Sequence, residues 1–306
     1  MLAGSSGTIG TRLFETALGL GYAVDGIDKR KNKWNTSLNS KTIRTNLLKE
    51  EKLERISSDY DLIIHLAANA RVFNLIKEPR LALENIIITF NILEFVRKND
   101  ISSVVLISSR EVYGNITNLV HKFSEELIDI RNCGNQYSAS KISSESLVCS
   151  YAHTYGIDYV IVRLSNVYGM YDDSDRIIPL WIKETLVNRD LIIYGKEKKL
   201  DFVYIDDVVD GILKVIMNFK KVKGEIFNIA SDESVELTYV ARKIISLLDG
   251  KNKIIIRPNR RGETLKFIAD IGKAKKLLGY KPKVGIDEGL RKTIQWYREF
   301  YSRRVR

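Results

Sequence analysis

Cysteine is scarce in these 306 residues: Cys133 and Cys149 are too few for a disulfide framework or a thiolate metal site. Histidine is scarce as well, and His65, His121 and His153 share no ligand spacing, so no metal is expected. Long apolar runs are missing. The longest, over residues 86–96, is interrupted by Thr89, Asn91 and Glu94 and is too short for a bilayer. The start, MLAGSSG, has no basic stretch leading into an apolar one, so no secretory leader is recognised. A cytoplasmic protein without membrane association is the expectation. Internal repeats and low-complexity linkers are lacking too.

Positive charge is plentiful, at a net +11, but it is spread over residues 29–33, 196–199, 220–223 and 303–306. No aromatic residues interleave with these stretches, as a platform for stacked bases would require. A solvated basic surface is therefore expected rather than a nucleic-acid partner, with some charge left for an anionic substrate. The 44% hydrophobic and 28% charged content is that of a globular protein with a large core.

Strand and helix patterns alternate from the start, which predicts an α/β fold with a parallel sheet covered on both faces. Strands are read at 23–27, 42–45, 62–66, 104–107 and 159–164, and helices at 11–20, 81–98 and 137–155. Later helices are read at 178–188, 207–218, 237–248, 271–278 and 286–300. Short strands at 191–194, 202–205, 227–230 and 254–256 lie between them. The pattern fits a Rossmann-type doubly wound parallel sheet with a smaller, interleaved α/β substrate-binding domain. Residues 1–165 and 201–229 are assigned to the first unit, 166–200 and 230–306 to the second. Only Met1, Leu2 and Ala3 precede the first glycine, fewer than the ~5 residues of a usual strand. The first strand is thus expected to be stunted, or to start upstream.

Gly4-Ser5-Ser6-Gly7-Thr8-Ile9-Gly10 is a glycine loop running into a helix. Such loops turn tightly and let backbone amides at a helix start approach a pyrophosphate. A glycine turn with no ligand has the same look. Asp28, at the end of the next strand, adds a carboxylate able to hold the adenosine ribose hydroxyls. It would repel a 2′-phosphate, which favours NAD over NADP, although Lys29 and Arg30 leave the question open.

Tyr137 and Lys141 stand four apart, one turn along a helix face. A nearby ammonium favours the tyrosinate, which can then take a proton from a sugar hydroxyl. The spacing alone also arises by chance. Ser109, at a strand end, is placed to hydrogen-bond the same hydroxyl.

Further segments complete a pattern: His65-Leu66-Ala67-Ala68, Ser108-Ser109-Arg110-Glu111-Val112-Tyr113-Gly114, Arg163-Leu164-Ser165-Asn166-Val167-Tyr168-Gly169 and Asp201-Phe202-Val203-Tyr204-Ile205-Asp206-Asp207, then Leu277-Leu278-Gly279-Tyr280-Lys281-Pro282. With the glycine loop and the Tyr137/Lys141 pair, the chain resembles, over nearly its whole length, the extended short-chain dehydrogenase/reductases, the nucleotide-sugar epimerases and dehydratases. The resemblance implies a catalytic trio of Ser109, Tyr137 and Lys141, with Glu111 beside it. It implies NAD contacts at Gly4, Gly7, Thr8, Ile9, Gly10, Asp28, Asn46, Leu47, Leu66, Ala67, Ala68, Asn85, Tyr137 and Lys141. Asn46 and Leu47 would meet the adenine, although Asp is usual where Asn46 stands. Asn166 and Arg260 would bind the diphosphate of a sugar nucleotide, residues 191–195 would pack on its base, and a homodimer is implied.

Two positions depart from the family pattern. Leu200 stands where a phosphate-binding Arg commonly precedes the Asp201-Phe202 motif, with Lys198 or Lys199 as substitutes. Arg110 replaces the Asp of the dehydratases' Asp-Glu pair, leaving Glu111 as its second member, which nucleotide-sugar decarboxylases share. The expected activity is an NAD-dependent nucleotide-sugar 4-epimerase, similar to UDP-glucose 4-epimerase, working through a transient 4-keto sugar. The alternatives are a decarboxylase or 4,6-dehydratase using Glu111, and, in another class, a non-catalytic dinucleotide-binding or RNA-associated protein.

Overall fold

A computed structural model describes residues 1–114, 122–259 and 266–302. The strands of the first part are β1 (Leu2–Ala3), β2 (Gly26–Asp28), β3 (Thr42–Arg44), β4 (Ile63–His65), β5 (Ser103–Ser109) and β6 (Asp158–Leu164). They are followed by β7 (Asn166–Tyr168), β8 (Leu191–Tyr194), β9 (Lys199–Leu200), β10 (Phe202–Tyr204), β11 (Ile226–Ile229), β12 (Val235–Glu236) and β13 (Ile254–Arg257). The helices run from α1 (Thr8–Gly19) through α2 (Glu50–Leu53), α3 (Val72–Lys77), α4 (Arg80–Lys98) and α5 (Gln136–Tyr155). They continue as α6 (Ile177–Leu186), α7 (Ile205–Val222), α8 (Leu237–Leu247), α9 (Gly272–Leu278) and α10 (Ile286–Ser302).

Seven strands form one sheet in the order β11-β6-β5-β4-β1-β2-β3, and all its pairs are parallel. The strand order reverses beside β1, so the carboxyl ends of β1 and β4 open the crevice where such sheets take ligands. Strand β5 shows why both faces are covered. Val105 and Ile107 join a core with Leu13 and Phe14 of α1 and Val208 of α7, while Val104 and Leu106 join Ile92 and Val96 of α4 and Val148 of α5. Alternate side chains thus point to opposite faces, and each face meets helices.

The first strand is two residues long, yet it pairs on both sides: Leu2 with Gly26 and Ile64, Ala3 with Ile27 and His65. Sequence patterning puts strands at 23–27 and 62–66, whereas the ladders span Gly26–Asp28 and Ile63–His65. Helix α1 starts at Thr8 rather than at residue 11, directly out of the glycine loop.

The small strands pair separately: β7 with β10 and β8 with β13 in parallel, β9 with β12 antiparallel. Although β10 falls in the stretch assigned to the first unit, it pairs with β7 outside the large sheet. Asp201 joins these parts. Its buried carboxylate accepts from Ser231 N at 2.9 Å and Oγ at 2.7 Å, and from Ala269 N at 3.3 Å. Burial pushes its pKa up to about 6. Among the described residues, no helix is long and apolar enough to cross a membrane.

Candidate active site

The glycine loop closes on itself. Gly4 has φ +90°, and a Cβ there would lie 2.7 Å from Ala67 N; one on Gly10 would lie 2.1 Å from the Gly4 carbonyl oxygen. Neither position tolerates a side chain. Gly7 caps α1 without any side-chain acceptor, and no acidic residue stands in the first turn. The leading amides of α1, around Thr8 and Ile9, are thus left for an anion, helped by the helix dipole. Asp28 ties the loop to β2: Ser6 N donates to its Oδ2 at 3.0 Å and Arg30 N to its Oδ1 at 2.9 Å. This cradle fits a dinucleotide pyrophosphate.

Asn46 follows β3, and its Oδ1 accepts from Leu48 N at 3.1 Å. Leu47 turns its side chain into the core while its carbonyl accepts from Asn91 Nδ2 at 2.8 Å. Leu66, Ala67 and Ala68 line the chain leaving β4, half-buried beside Gly4. Asn85 is buried on α4 and shapes that loop: its Oδ1 accepts from Asn69 N at 2.7 Å, and its Nδ2 donates to Asn69 O at 3.1 Å and Ser140 Oγ at 3.2 Å.

Ser109 ends β5 and Tyr137 begins α5, whose start is capped by Asn135 Oδ1 accepting from Ser138 N at 2.9 Å. Tyr137 packs between Leu75 of α3 and Ala82 of α4, beside the Ser109 hydroxyl. Lys141 is buried, with Nζ donating to Ile107 O at 2.8 Å. Burial lowers its pKa to about 8, partly offset by Glu145. Burial likewise raises the Tyr137 phenol, against the expectation that the ammonium lowers it. The opposing influences are Arg176, the Ser109 hydroxyl and Arg110, with Glu111 adding to the rise.

Arg110 and Glu111 form the turn after Ser109. Their ion pair is 2.8 Å long and largely buried, and Arg110 Nε donates to Asn166 Oδ1 at 3.2 Å. Asn166 Nδ2 donates to Asp201 O at 2.8 Å. Asn166 therefore stands beside the turn that carries Ser109 and Glu111. Leu200 is buried in the core, and Lys199 is engaged with Glu236 at 2.9 Å. Arg260 lies outside the described residues.

Several neighbours carry no signal in the sequence. Residues 171–176 run across the site: Thr8 Oγ1 donates to Tyr171 O at 2.8 Å, Arg71 pairs with Asp175, and Arg176 NH2 reaches Ala70 O at 3.5 Å. Arg176 thereby faces the Tyr137 phenol from a segment with no motif of its own.

The family model described as the NAD dependent epimerase/dehydratase family matches residues 1–230. This chain belongs to that family. Its fold is that of the extended short-chain dehydrogenase/reductases, and the family uses NAD. One relative is a UDP-N-acetyl-alpha-D-glucosaminuronate decarboxylase of Bacillus cytotoxicus, 30% identical over 98% of this chain and 97% of the relative. The crystal structure of UDP-glucose 4-epimerase from Thermotoga maritima, with UDP-glucose, superposes with a TM-score of 0.89 at 28% identity, covering 98% of each chain. A dTDP-glucose 4,6-dehydratase of Streptomyces venezuelae, solved with NAD bound, gives 0.88 at 26% identity, covering 98% of this chain and 97% of that one. A nucleotide-sugar epimerase, a dehydratase and a decarboxylase are thus all among the relatives of this chain.

Proposed function

We propose that this family member is a nucleotide-sugar 4-epimerase. Ser109, Tyr137 and Lys141 act at C4: Tyr137, as its phenolate beside Ser109, takes the proton of the C4 hydroxyl and later returns it. Lys141, fixed on the Ile107 carbonyl, brings positive charge to the same end of α5. Bound NAD supplies a hydride acceptor and donor at C4. The glycine loop and Asp28 hold the pyrophosphate and ribose, with Asn46, Leu47, Leu66, Ala67, Ala68 and Asn85 around the rest. Asn166 and Arg260 are assigned to the diphosphate of the sugar nucleotide. Residues 1–165 and 201–229 form the cofactor unit in this reading, and 166–200 with 230–306 the sugar-nucleotide unit.

The observation that carries the epimerase reading is the Arg110–Glu111 pair. Loss of water from C6 needs a proton donor beside the leaving hydroxyl. A guanidinium keeps its protons, and the one carboxyl beside it is engaged at 2.8 Å by that guanidinium rather than free for a leaving hydroxyl. Re-reduction of the 4-keto sugar needs neither group. Decarboxylation is the second reading, supported by Glu111 and by the Bacillus cytotoxicus relative, because a 4-ketone by itself makes a C6 carboxylate labile.

The test is a panel of UDP-glucose, UDP-glucuronate, dTDP-glucose and GDP-mannose with products identified by NMR. A 4-epimer supports the proposal. Carbon dioxide moves the assignment to decarboxylase, and a 6-deoxy-4-keto sugar to dehydratase. Tyr137→Phe is expected to abolish turnover with NAD binding retained, and an active variant would refute the assigned base.

A homodimer is part of the same reading. Leu83, Ile87 and Phe90 lie exposed at helical spacing on α4, and Phe90 meets Tyr151 of α5 edge to face, beside exposed Tyr155. This apolar stripe suits a second copy of the chain.

A further inference from the structure

Three residues of α5, each four apart, face three consecutive residues of β5. Tyr137 lies beside Ser109, whose hydroxyl favours the ionised phenol, Lys141 Nζ donates to Ile107 O at 2.8 Å, and Glu145 Oε1 accepts from Ser108 Oγ at 2.5 Å. The first two rungs belong to the site described above. The third does not touch it. Yet Glu145 is buried, and its carboxylate is fixed from the opposite side by Arg163 of β6, with Nε at 3.0 Å and NH2 at 2.7 Å. Arg163 is itself held: its NH1 donates to Glu125 O at 2.7 Å and to Tyr113 OH at 3.2 Å. Tyr113 OH donates to Asn228 Oδ1 at 2.7 Å, and Asn228 N donates to Glu125 Oε1 at 2.8 Å. Every charge of this interior network has a partner, which is what a buried ion pair requires to be tolerated.

We propose that Glu145, braced by Arg163, is a positioning residue for the proton-transfer pair: it keeps Lys141 charged and holds the end of β5 that carries Ser109. The proposal rests on Tyr137 and Lys141 being that pair. Residues four apart on a helix are neighbours on one face, so the Glu145 carboxylate is the anion one turn from the Lys141 ammonium. Among the described residues, the other groups around this face supply no substitute. On α5 itself Tyr137 is held by burial as the uncharged phenol in the resting site and is an anion only while it acts as the base. His65 of β4 is buried, and burial together with the Lys141 charge lowers its pKa to about 3, so it stays uncharged. Helix α4 offers Asn85 and Thr89 to Ser140 and Ser144, while its Glu94 is taken by Arg97 and by Tyr151, far along α5. Lys77 of α3 lies over the Phe73 ring. Beyond β5, Glu111 is paired with Arg110. Arg163 on β6 adds positive charge, which opposes an ammonium. With Glu145 in place burial already lowers Lys141 to about 8, so removal of Glu145 moves the loss of the ammonium to lower pH.

The experiment reads Lys141 directly. Protein labelled with carbon-13 at lysine Cε is titrated by NMR, with the Lys141 signal assigned by Lys141→Arg. Glu145→Gln is expected to move the Lys141 midpoint down by about one unit, as removal of a neighbouring charge in a protein interior does. Glu145→Asp is expected to restore most of it. Because Glu145→Gln leaves the Arg163 charge buried, Glu145→Gln/Arg163→Gln is measured as well and is expected to shift in the same direction, by less. A Lys141 midpoint unchanged in whichever of these variants folds overturns the proposal. With a turned-over sugar nucleotide, the alkaline limb of kcat should move with the midpoint while KM stays within twofold. If the midpoint moves and no sugar nucleotide is turned over, the electrostatic role stands and the catalytic reading falls.

Discussion

Arg110 and Glu111, adjacent in sequence, form a largely buried ion pair at 2.8 Å on the turn that follows Ser109. The pair neutralises two charges beside the Tyr137 phenol, and it denies the site a free carboxyl. Arg110→Asp reverses this by placing two carboxyls together, where one of them is driven to hold a proton. This variant should form some 6-deoxy-4-keto sugar from a hexose nucleotide and epimerise about tenfold more slowly, a loss of ~1.4 kcal/mol of transition-state stabilisation. NMR of the products decides. An Arg110→Asp enzyme that still yields epimer alone shows that elimination is barred by something other than this arginine.

Lys141 illustrates the cost of keeping a charge inside. With its pKa lowered from 10.5 to about 8, the folded protein binds this proton less tightly than the unfolded chain. At pH 7 the lysine is charged in both states, and the burial cost is ~3 kcal/mol. Stability from this group therefore rises between pH 8 and 10.5, where the unfolded chain holds a proton that the folded protein has released. Lys141→Met removes the cost and forfeits the hydrogen bond to Ile107, worth ~1 kcal/mol. The variant should be inactive yet more stable at pH 7 by ~1–2 kcal/mol in urea unfolding. Destabilisation at that pH would show that the ammonium is favourably held.

His65 works in the opposite pH range. Its ring is buried against Thr89 at 3.1 Å, with a pKa lowered from 6.5 to about 3 by burial and by the Lys141 charge. The unfolded chain takes up this proton first, so stability falls as pH drops from 6.5 towards 3, by up to ~4–5 kcal/mol. Asp201, raised from 3.8 to about 6, pulls the other way over its own interval. His65→Gln keeps a polar partner for Thr89 and cannot titrate. Its urea midpoint should decline less on acidification than that of the wild type; parallel curves would remove His65 as the cause.

The glycine loop gives a contrast between two positions three residues apart. A Cβ at Gly10 would meet the Gly4 carbonyl at 2.1 Å, whereas one at Gly7 meets nothing closer than 3.4 Å. Gly10→Ala should distort the loop and weaken NAD binding about 100-fold, ~2.7 kcal/mol, by calorimetry. Gly7→Ala should melt with the wild type. Equal NAD affinity in Gly10→Ala and wild type would disprove the cradle.

Features written in neighbouring residues were legible in the sequence. The loop from Gly4 to Gly10, Asp28 at a strand end, and Tyr137 one turn before Lys141 are local patterns, and local spacing fixes their geometry. Helix α3 was not legible, since Val72–Lys77 is too short for periodicity to show, although its Leu75 walls Tyr137. Strands of two or three residues such as β7, β9 and β12, which the sequence did not announce, are defined by partners far along the chain. Arg176, Arg163 and Glu145 are likewise placed by contacts that only the fold creates. The direction of the Tyr137 shift depends on burial, and a four-residue spacing does not record burial.

The apolar stripe on α4 gives a prediction about assembly. Leu83 is 55% exposed, Ile87 37% and Phe90 40%, at spacings of four and three, which aligns them along one face. The opposite face of the helix, with Ile88, Ile92 and Val96, is committed to the core. A helix apolar on both faces needs cover on both. A symmetric pairing through α4 and α5 lets each copy supply that cover for the other, since the same patch recurs on the partner. Phe90→Glu would place a carboxylate at the centre of such a pairing, where it has no counter-charge, but it is harmless in a monomer because the ring is turned to solvent. Light scattering should therefore find the wild type at twice the chain mass and Phe90→Glu at the chain mass, with circular dichroism unchanged. A wild type at the chain mass at micromolar concentration would refute the dimer. A Phe90→Glu variant that remained paired would place the interface elsewhere.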